Sequence, residues 1–379
     1  MRIGIDARFY GPQAKGLGRY SEKLIQYLAG LDKKNQYVIF LTKNNFSDFI
    51  STSPNFKKVE ADYRWYTLAE QIHMPRAIAK EKIDLMHFPH FNVPLLYRGK
   101  FIVTIHDLIL THFPTQRAST LGPLKYFIKH RAYKKVISQA IKKSKKIITV
   151  SNYTKKEIID TFKVNPSKIE VTYEACSDFK STLAHIDKEK FFKEMGIFSP
   201  YILYVGNAYP HKNLELLLEA FKDVITEKID LQLVLVGKMD YFFERLKNLV
   251  NRLKLEKKVV FPGYVTDEEL KAFYQNAKLY IFPSKVEGFG LPPLEAMAQG
   301  LPVVSSSSSS LPEILGNAAY YFNPDKKEEI SMAIKEVLAN DKLREEMKKN
   351  GYNQVKKYNW EKLAEQTLNI YNSLESAQS

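Results

Sequence analysis

The sequence predicts an α/β protein of two Rossmann-like, doubly wound domains that face each other across a cleft. Apolar, β-rich runs alternate with helical patterns along the chain, and its 379 residues exceed the size at which a single hydrophobic core usually stops growing. Such alternation is typical of parallel sheets covered by helices on both faces, with ligand sites at the carboxyl ends of the strands. The runs that predict strands are Ile3–Asp6, Tyr37–Leu41, Phe101–Ile105, Ile147–Val150, Tyr201–Val205, Leu233–Val236, Val259–Phe261, Leu279–Phe282 and Pro302–Ser305.

One interruption of this rhythm predicts the domain boundary. The stretch from Glu174 to Pro200 is polar and rich in lysine, and a new apolar run begins abruptly at Tyr201. Apolar residues at helical spacing after Trp360 predict a long terminal helix. We therefore predict a first domain over 1–175, a linker over 176–200, a second domain over 201–355, and a C-terminal helix within 356–379 that packs back toward the first domain.

The positive charge of the chain is confined to its first half. Residues 1–175 contain 30 Lys and Arg against 14 Asp and Glu, whereas the remainder contains 27 against 28. Between Asp107 and Glu157 there are twelve bases and no acid. This half is therefore expected to meet an anionic partner.

Other features of composition indicate a cytoplasmic protein. No apolar segment is long enough to span a bilayer, and the start of the chain runs into a strand rather than resembling a signal peptide. Cys176 is the only cysteine, which excludes an internal disulfide and a thiolate metal cluster.

The strongest motif lies within residues 284–300. A strand ends before it, and Gly288 and Gly290 allow close approach of a ligand to a loop that leads into a helix. Free N–H groups and the positive end of the helix dipole suit a diphosphate. Glu287 can then face a sugar while Glu295 accepts hydrogen bonds from ribose hydroxyls. Taken alone, the two carboxylates could equally be a solvated loop residue and a residue of the first helical turns.

This segment resembles the signature of family 4 retaining glycosyltransferases, the "glycosyl transferases group 1" family, in a mannosyltransferase-like form. The resemblance covers nearly the whole chain, is most specific from Tyr201 to Pro312, and implies the GT-B fold with an acceptor-binding first domain and a donor-binding second domain. The residues it implies for the donor site are Gly16, Asn207, Lys212, Tyr264, Val265, Gly288, Phe289, Gly290, Leu291 and Glu295. It also implies His106 and Glu287 as catalytic residues, with Arg19 and His90 binding the acceptor.

Lys212 is predicted at a helix start, where a cation is unfavourable unless an anion shares the site. In the resembled family this lysine binds the donor diphosphate, usually with an arginine nearby. This chain has Asn207 and His211 at the corresponding positions, and a protonated His211 could replace that arginine. The alternative for Lys212 is a solvated surface lysine.

Two further loops follow strands in the second half. Thr266 with Glu269 forms a capping-box pattern, and the resemblance places the nucleotide base near Tyr264 and Val265. The serine run Ser305–Ser310 indicates turn chemistry or close packing, and no neighbouring base predicts a serine nucleophile.

In the first half, a glycine-containing loop follows the first strand. Gly16 and Gly18 do not complete a dinucleotide-binding fingerprint, so NAD is not expected. The resemblance implies that this loop lies beneath the donor phosphate, with backbone approach at Gly16, and lines the acceptor pocket, where Arg19 would meet an anionic acceptor.

Histidines follow two neighbouring strands. His106 comes directly after Phe101–Ile105 and is either functional or a buried structural histidine paired with an acid. The resemblance implies that it approaches the transferred sugar, and His87 and His90 are expected to line the same cleft. No convincing Asp-x-Asp metal motif is present, so we expect neither a metal nor another cofactor, with Lys212 and helix N-termini stabilising the leaving diphosphate.

The basic stretch Arg117–Lys146 has apolar residues at helical spacing, among them Leu121 and Leu124. An interfacial helix on anionic lipid and the solvated face of a core helix both explain this pattern. The lipid interpretation would make the protein peripheral on the inner face of the plasma membrane, with an acceptor carried on a polyprenyl diphosphate or another glycolipid.

The expected function is metal-independent, retaining transfer of a mannose- or glucose-type hexose from a GDP- or UDP-sugar to a glycan or lipid-linked glycan, as in polysaccharide, O-antigen or glycolipid synthesis. A GT-B nucleotide-sugar epimerase or phosphorylase is the alternative. A basic nucleic-acid-binding protein is a weaker one, because no recognition motif of that kind is present and no nucleic acid partner is expected.

Overall fold

The computed structural model describes residues 1–11, 14–51, 53–113, 122–176, 187–226 and 230–376. The chain forms two compact units. One unit holds residues 1–174 together with the chain from Asn359 onward, and the other holds residues 175–358.

The first unit is built on a seven-stranded parallel sheet over its described residues. Its strands are β1 (Arg2–Asp6), β2 (Gln36–Leu41), β3 (Phe56–Glu60), β4 (Leu85–Phe88), β5 (Phe101–Ile105), β6 (Ile147–Thr149) and β7 (Ile169–Val171). They lie side by side in the order β3-β2-β1-β4-β5-β6-β7. The accompanying helices are α1 (Lys15–Leu31), α2 (Leu68–Lys80), α3 (Ile109–His112), α4 (Pro123–Lys143) and α5 (Asn152–Phe162).

The second unit repeats this architecture with six parallel strands among its described residues. These are β8 (Tyr201–Val205), β9 (Gln232–Val236), β10 (Val259–Gly263), β11 (Leu279–Phe282), β12 (Val303–Ser306) and β13 (Ala319–Phe322), in the order β10-β9-β8-β11-β12-β13. Its helices are α6 (Lys188–Glu194), α7 (Leu214–Ile225), α8 (Tyr241–Leu253), α9 (Asp267–Asn276), α10 (Leu291–Ala298), α11 (Leu311–Leu315), α12 (Lys327–Ala339) and α13 (Asp341–Val355).

Burial explains why the central strands are nearly continuous apolar runs. Every residue of β5, β9 and β11 is buried, because helices cover both faces of a parallel sheet. The strands outside the predicted runs include the edge strands β3, β7 and β13, which are less completely buried. In β3 the two lysines are exposed, as is common for edge strands that must avoid pairing with other chains.

Part of the predicted linker is helical. Helix α6 places Phe191 and Phe192 against Phe273, with ring centroids 5.6 and 5.4 Å apart. The first segment of the first unit ends at Glu174, within one residue of the predicted end of the first domain, and the described part of the predicted linker belongs to the second unit. Residues 177–186 of the predicted linker lie outside the described residues.

The last helix, α14 (Trp360–Ser376), belongs to the first unit and packs against α1. Tyr371 is fully buried, and the N-terminal ammonium of Met1 forms an ion pair with Glu375 at 3.2 Å. The chain therefore returns to its first unit after completing the second.

Each sheet has one position where the strand order reverses direction. In the first unit this position lies between β1 and β4, and in the second it lies between β8 and β11. Crevices at the carboxyl ends of strands at such reversals are the usual ligand sites of open α/β sheets. The loops that follow these four strands are therefore expected to carry the ligand sites.

Candidate functional site

A buried ion pair occupies the strand-order reversal of the second sheet. Lys212 follows β8, Glu287 follows β11, and the Lys212 Nζ contacts the Glu287 Oε1 directly. The two side chains are only 13% and 11% exposed. Because desolvated charges are costly unless paired, the fold keeps this cation and this carboxylate together at a crevice where an anionic ligand would enter.

The loop after β8 is shaped to hold Lys212 in place. A 3₁₀ turn over Pro210–Lys212 is followed by Asn213 in the left-handed region at φ 61°, from which α7 begins. The Asn213 side chain donates to the Pro324 carbonyl at 2.7 Å, and the Lys212 Nζ lies 5.5 Å from the centre of the Phe282 ring. Lys212 is thus a positioned, largely buried residue rather than a solvated surface lysine.

His211 and Asn207, which stand where a phosphate-binding arginine was expected, supply no second cation in the unliganded protein. His211 is neutral, and Asn207 is bonded to neighbouring residues. Burial, followed by the charge of Lys212, lowers the pKa of His211 to about 4, so this ring is uncharged near pH 7 in the unliganded protein. The Asn207 carbonyl accepts a hydrogen bond from the Tyr204 hydroxyl at 2.7 Å, and its side-chain oxygen accepts from the Tyr209 N–H at 3.3 Å. In the unliganded protein His211 thus supplies no second cation, and its protonation beside a bound diphosphate stays a prediction.

The serine run holds the loop that carries Glu287. The Glu287 N–H donates to the Ser309 hydroxyl at 2.9 Å, and the Ser310 hydroxyl donates to the carbonyls of Glu287 and Phe289 at 3.0 and 3.2 Å. Strands β11 and β12 are neighbours, so the loops that follow them meet. The predicted turn and packing role of the serines is confirmed, whereas their action on Glu287 had no local signal in the sequence.

Helix α10 begins at this loop, and its first turn has few free N–H donors. Gly290 precedes the helix at φ 101°, and a Cβ there would lie 2.8 Å from Leu311. The second and third helical residues are Pro292 and Pro293, which have no N–H. The first turn therefore offers an anion the helix dipole and few N–H groups. Gly288, Phe289 and Leu291, which complete the predicted donor loop, line the same turn.

Glu295 lies inside α10 and is almost fully buried. It is 4% exposed, and its Oε2 accepts a hydrogen bond from the Tyr274 hydroxyl at 3.2 Å. The structure thus anchors this carboxylate on a neighbouring helix, α9. Its predicted contact with ribose hydroxyls remains a prediction.

Glycine ends or directly follows three adjacent strands of the second sheet, β8, β9 and β10, a pattern that sequence reasoning did not use. A Cβ at Gly237 would lie 2.1 Å from the Gly206 carbonyl oxygen, and the Gly237 N–H donates to the Gly263 carbonyl at 3.0 Å. A side chain at Gly237 would therefore overlap the neighbouring backbone. Immediately beyond β10, Tyr264 is 78% exposed while Val265 is buried.

The start of α9 beside these residues agrees with its sequence pattern. The Thr266 hydroxyl accepts from the Glu269 N–H at 3.3 Å, and the Glu269 carboxylate accepts from the Thr266 N–H at 2.7 Å. The predicted capping box is therefore confirmed, and it fixes the backbone on which Tyr264 is displayed.

In the first unit, His106 has hydrogen bonds at both ring nitrogens. Its Nδ1 lies 2.9 Å from the Glu174 carboxylate, and its Nε2 donates to the Pro89 carbonyl at 3.0 Å. Burial alone would lower the pKa of His106, but the hydrogen bond and charge of Glu174 outweigh it and the pKa is raised. The two ring nitrogens thus contact a carboxylate and a carbonyl, which fixes the orientation of the ring. The role of His106 beside the transferred sugar stays a prediction.

His87 does not line a crevice. It is 0% exposed, its Nδ1 lies 2.7 Å from the Tyr371 hydroxyl, and its Nε2 lies 2.8 Å from the Thr104 hydroxyl. Burial, with a smaller contribution from His106, lowers its pKa to about 3. The expectation that His87 lines the cleft is therefore wrong, because its side chain is buried between the sheet and α14.

A buried charge network, formed by Asp6, Arg8, Glu70 and Asn92, underlies the strand-order reversal of the first sheet. The Arg8 guanidinium donates to the Asp6 carboxylate at 2.8 and 2.7 Å and to the Glu70 carboxylate at 2.7 Å. The Asn92 amide donates to the same Glu70 oxygen at 2.7 Å. Because Arg8 makes these bonds inside the fold, it acts as a structural cation rather than a surface one.

Aromatic rings lie above this network. Phe9 stacks on Trp65 with ring centroids 4.2 Å apart and meets His90 edge-on at 5.2 Å. Burial, then the charges of His106 and Arg8, lowers the pKa of His90 to about 3, so the ring is neutral. An uncharged histidine among aromatic rings suits the hydroxyl groups and C–H faces of a sugar.

The glycine-containing loop after β1 needs a bare backbone at Gly18. A Cβ on Gly18 would lie 1.9 Å from the Gly11 carbonyl oxygen, whereas a Cβ on Gly16 meets nothing within 4 Å. Gly16 is exposed and Arg19 partly exposed, both in the first turns of α1. Close approach of a ligand at Gly16 is thus sterically open and remains a prediction.

The basic helix α4 has two different halves. Val136, Ile137, Ala140 and Ile141 are buried in the core, whereas Phe127 and Ile128 are 54% and 59% exposed. Arg117 and Leu121 of the predicted stretch lie outside the described residues, as does the side chain of Leu124. The neighbouring α3 exposes Leu110 and is tied to α4 by the Thr111 and Tyr133 hydroxyls, 2.7 Å apart. The exposed cations on α4 are Lys125, Lys129, Arg131, Lys134, Lys135, Lys142 and Lys143.

None of the described helices combines the length and apolar character needed to cross a bilayer. Within the same part of the chain, His, Cys, Asp and Glu side chains do not gather in groups of three or more that could hold a metal ion.

Comparison with known proteins agrees with this architecture. Residues 187–354 match the glycosyl transferases group 1 family, and residues 14–176 match Glycosyltransferase Family 4. The chain is 31% identical over 379 residues to O-antigen chain mannosyltransferase B of Escherichia coli, covering 95% of this chain and 96% of that protein. It is 31% identical over 275 residues to O-antigen chain mannosyltransferase RfbU of Salmonella typhimurium, covering 72% and 70%.

A solved structure confirms the predicted fold class. Sucrose-phosphate synthase from Thermosynechococcus elongatus superimposes with a TM-score of 0.78 at 21% identity, covering all of both chains. At that identity the likeness shows the fold alone, which is GT-B. The two parallel-sheet units agree with the matches to both domain families. A relative above 30% identity over nearly the full chain supports the same family. The chain is a glycosyltransferase and belongs to the glycosyl transferases group 1 family.

Proposed function

We propose that this protein is a retaining, metal-independent hexosyltransferase that moves a mannose- or glucose-type sugar from a GDP- or UDP-sugar to a glycan or lipid-linked glycan, as in polysaccharide, O-antigen or glycolipid synthesis. The observation that carries the proposal is the buried Lys212–Glu287 pair at the strand-order reversal of the second sheet. The mannosyltransferase names of two relatives, one of them matched over nearly its full length, support the choice of sugar.

In this proposal the second unit binds the donor. Lys212 and the positive end of α10 hold the diphosphate, and the bare backbone at Gly288 and Gly290 lets it approach. Glu295 accepts from the ribose hydroxyls. The nucleotide base lies against the backbone at Val265, with the exposed Tyr264 ring beside it. The remaining donor contacts come from Gly16, Asn207, Phe289 and Leu291.

The transfer step needs no protein nucleophile. The bond between the anomeric carbon and the leaving phosphate oxygen breaks, and a bond to the acceptor hydroxyl oxygen forms on the same face of the sugar. The acceptor proton passes to the departing phosphate oxygen. Lys212 stabilises the negative charge that develops on the diphosphate, and the Glu287 carboxylate lies where it can offset positive charge on the sugar.

The first unit receives the acceptor in this proposal. His106 is held at both ring nitrogens by Glu174 and Pro89, so it offers the sugar a fixed ring rather than acting as a base. His90 and the stacked Phe9–Trp65 rings offer a neutral, aromatic surface to a sugar ring. Arg19 attracts an anionic group on the acceptor.

We further propose that α4 binds an anionic membrane surface. Its exposed apolar residues Phe127 and Ile128 stand among exposed lysines and an arginine, a combination that favours the interface of an anionic bilayer over a purely solvated face. Binding should be measured by co-sedimentation with phosphatidylglycerol and phosphatidylcholine vesicles. Serine at both Phe127 and Ile128 should abolish binding to the anionic vesicles, and Ile50→Ser, which removes another exposed apolar side chain, should not. Equal binding by all three proteins would contradict the proposal.

The donor is tested first by thermal shift with GDP, UDP, ADP and their sugar conjugates, on the wild type and on Glu295→Ala. A ligand that binds only the native state raises the melting temperature by mass action. We expect a shift with one nucleotide family that the substitution removes, followed by transfer whose product keeps the anomeric configuration in NMR spectra. Consumption of donor without an alcohol acceptor would instead indicate an epimerase or a phosphorylase. The absence of any nucleotide shift would overturn the donor site.

A further inference from the structure

A continuous chain of buried hydrogen bonds runs from the C-terminal helix to the residue beside His106. Tyr371 of α14 bonds to His87 of β4 at 2.7 Å, His87 bonds to Thr104 of β5 at 2.8 Å, and Thr104 bonds to Tyr20 of α1 at 3.1 Å. All four side chains are 0% exposed. We call these four residues the buried relay.

The directions of the hydrogen bonds in the buried relay depend on one another. His87 is neutral because burial lowers its pKa to about 3, so it carries one N–H and one acceptor nitrogen. If the Tyr371 hydroxyl donates to Nδ1, then Nε2 must donate to Thr104. In the opposite order, Thr104 donates to Nε2 and Nδ1 donates to Tyr371. Loss of one hydroxyl therefore leaves a buried imidazole nitrogen without its partner, and such groups are costly to leave unpaired.

The relay ends against His106. The Tyr20 ring meets the His106 ring edge-on, with centroids 4.7 Å apart and planes at 89°. His106 is otherwise held by Glu174 and by the Pro89 carbonyl, so its remaining ring face packs on Tyr20. Tyr20 also follows Arg19 directly, within the first turns of α1. A shift of Tyr20 would therefore displace the His106 ring that packs on it.

We infer that the buried relay positions the His106 ring from the C-terminal helix, which makes Tyr371, His87 and Thr104 positioning residues for sugar transfer. The inference rests on the proposed role of His106. None of the three touches substrate, since all are fully buried. Their effect on transfer comes only through Tyr20 and the orientation of His106.

The chain offers matched variants for the test. Tyr371→Phe and Thr104→Val each remove one hydroxyl of the relay with little change in shape, and Thr104→Ser restores the hydroxyl. Thr367→Val removes another fully buried hydroxyl of α14, one that bonds only to the Leu363 carbonyl at 2.8 Å. Each variant should be compared for melting temperature, for kcat and KM, and for the ring nitrogen resonances of His106 in ¹⁵N-histidine NMR spectra.

We expect Tyr371→Phe and Thr104→Val to lower kcat by about ten-fold with KM nearly unchanged, because misplacement of an orienting group acts on the transition state. Thr104→Ser should return to within about two-fold of the wild type, and Thr367→Val should leave kcat unchanged. The His106 resonances should shift in Tyr371→Phe and not in Thr367→Val.

Two outcomes separate the inference from the proposed function. Wild-type kcat and unshifted His106 resonances in Tyr371→Phe, with a melting temperature lowered as in Thr367→Val, would show that the relay is only structural. Full transfer activity in His106→Ala would show that His106 has no role in transfer. The His106 resonances in Tyr371→Phe would still show whether the relay positions the ring.

Discussion

Replacing Glu287 by glutamine should tighten the binding of a nucleoside diphosphate while reducing sugar transfer. The Glu287 carboxylate is the partner of Lys212 in the unliganded protein. The same carboxylate repels an incoming diphosphate. Glutamine keeps the shape of the side chain and removes its charge, so Lys212 becomes available to the diphosphate without competition.

The size of the effect follows from the burial of the pair. Both side chains are nearly buried, at 13% and 11% exposure, so solvent screens their charges weakly. Two unit charges about 4 Å apart interact by about 4 kcal/mol at an effective dielectric constant of about 20. Allowing for greater distance to the phosphates and for residual solvent, we expect a gain of roughly 1.4 to 2.8 kcal/mol, or about 10- to 100-fold in Kd. Transfer should fall by about 10²- to 10³-fold, as for loss of other single electrostatic groups.

Isothermal titration calorimetry with UDP and GDP at low and high salt measures the change in affinity. Asp325→Asn is the matched control, because it breaks the more exposed ion pair of Lys285, which lies in the same loop as Glu287. That variant should change Kd by less than about three-fold. Unchanged or weaker binding in Glu287→Gln, with normal behaviour of the control, would refute the idea that this carboxylate competes for Lys212.

Three further predictions concern the stability of each unit. Gly18→Ala should destabilise the protein by about 1–3 kcal/mol in urea unfolding because its Cβ would overlap a backbone oxygen, whereas Gly16→Ala, in open space within α1, should be neutral or stabilising; equal effects would contradict the close approach. Arg8→Met should cost about 3–5 kcal/mol at pH 7 by leaving two buried carboxylates unpaired, and the loss should shrink at lower pH as they protonate; a loss independent of pH would argue against an electrostatic origin. Burial and Lys212 lower the pKa of His211 from 6.5 to about 4, so its contribution to stability is present above about pH 6.5 and declines as the pH falls toward 4; His211→Asn should flatten that part of the pH dependence of Tm, and an unchanged slope would show that the ring is not neutral in the fold.

The sequence predicted well the features that depend on neighbouring residues. The apolar runs identified most of the central strands, and β5, β8 and β11 begin and end where those runs do. The central strand β4, which is short, was not among the runs. The capping box at Thr266 and the helix from Trp360 were likewise predicted from local spacing, because N-caps and helical periodicity are properties of a few consecutive residues. Edge strands such as β3 were not singled out, since an edge is only partly buried and its pattern is correspondingly less apolar.

The candidate site required the order of the strands. Lys212 and Glu287 are 75 residues apart, and they meet only because β8 and β11 are adjacent in the second sheet. Glu174 is 68 residues from His106, and the sequence offered the adjacent Asp107 as a partner instead. Local periodicity does not show which strands become neighbours, so these contacts could not be predicted from the sequence alone.

The direction of a side chain at a strand end was also decided by tertiary packing. His87 and His90 are three residues apart at the end of β4 and looked alike as crevice residues. In the fold, the His87 side chain is buried against Tyr371 of α14, a residue 284 positions later. His90 instead lies among aromatic rings, one of which is Phe9 after the first strand. The sequence by itself determined the fold class, the main strands and the residue types available to the chemistry. Tertiary structure decided which of those residues meet, because pairing across a sheet depends on strand order and on the return of α14, and both of these are set by long-range burial.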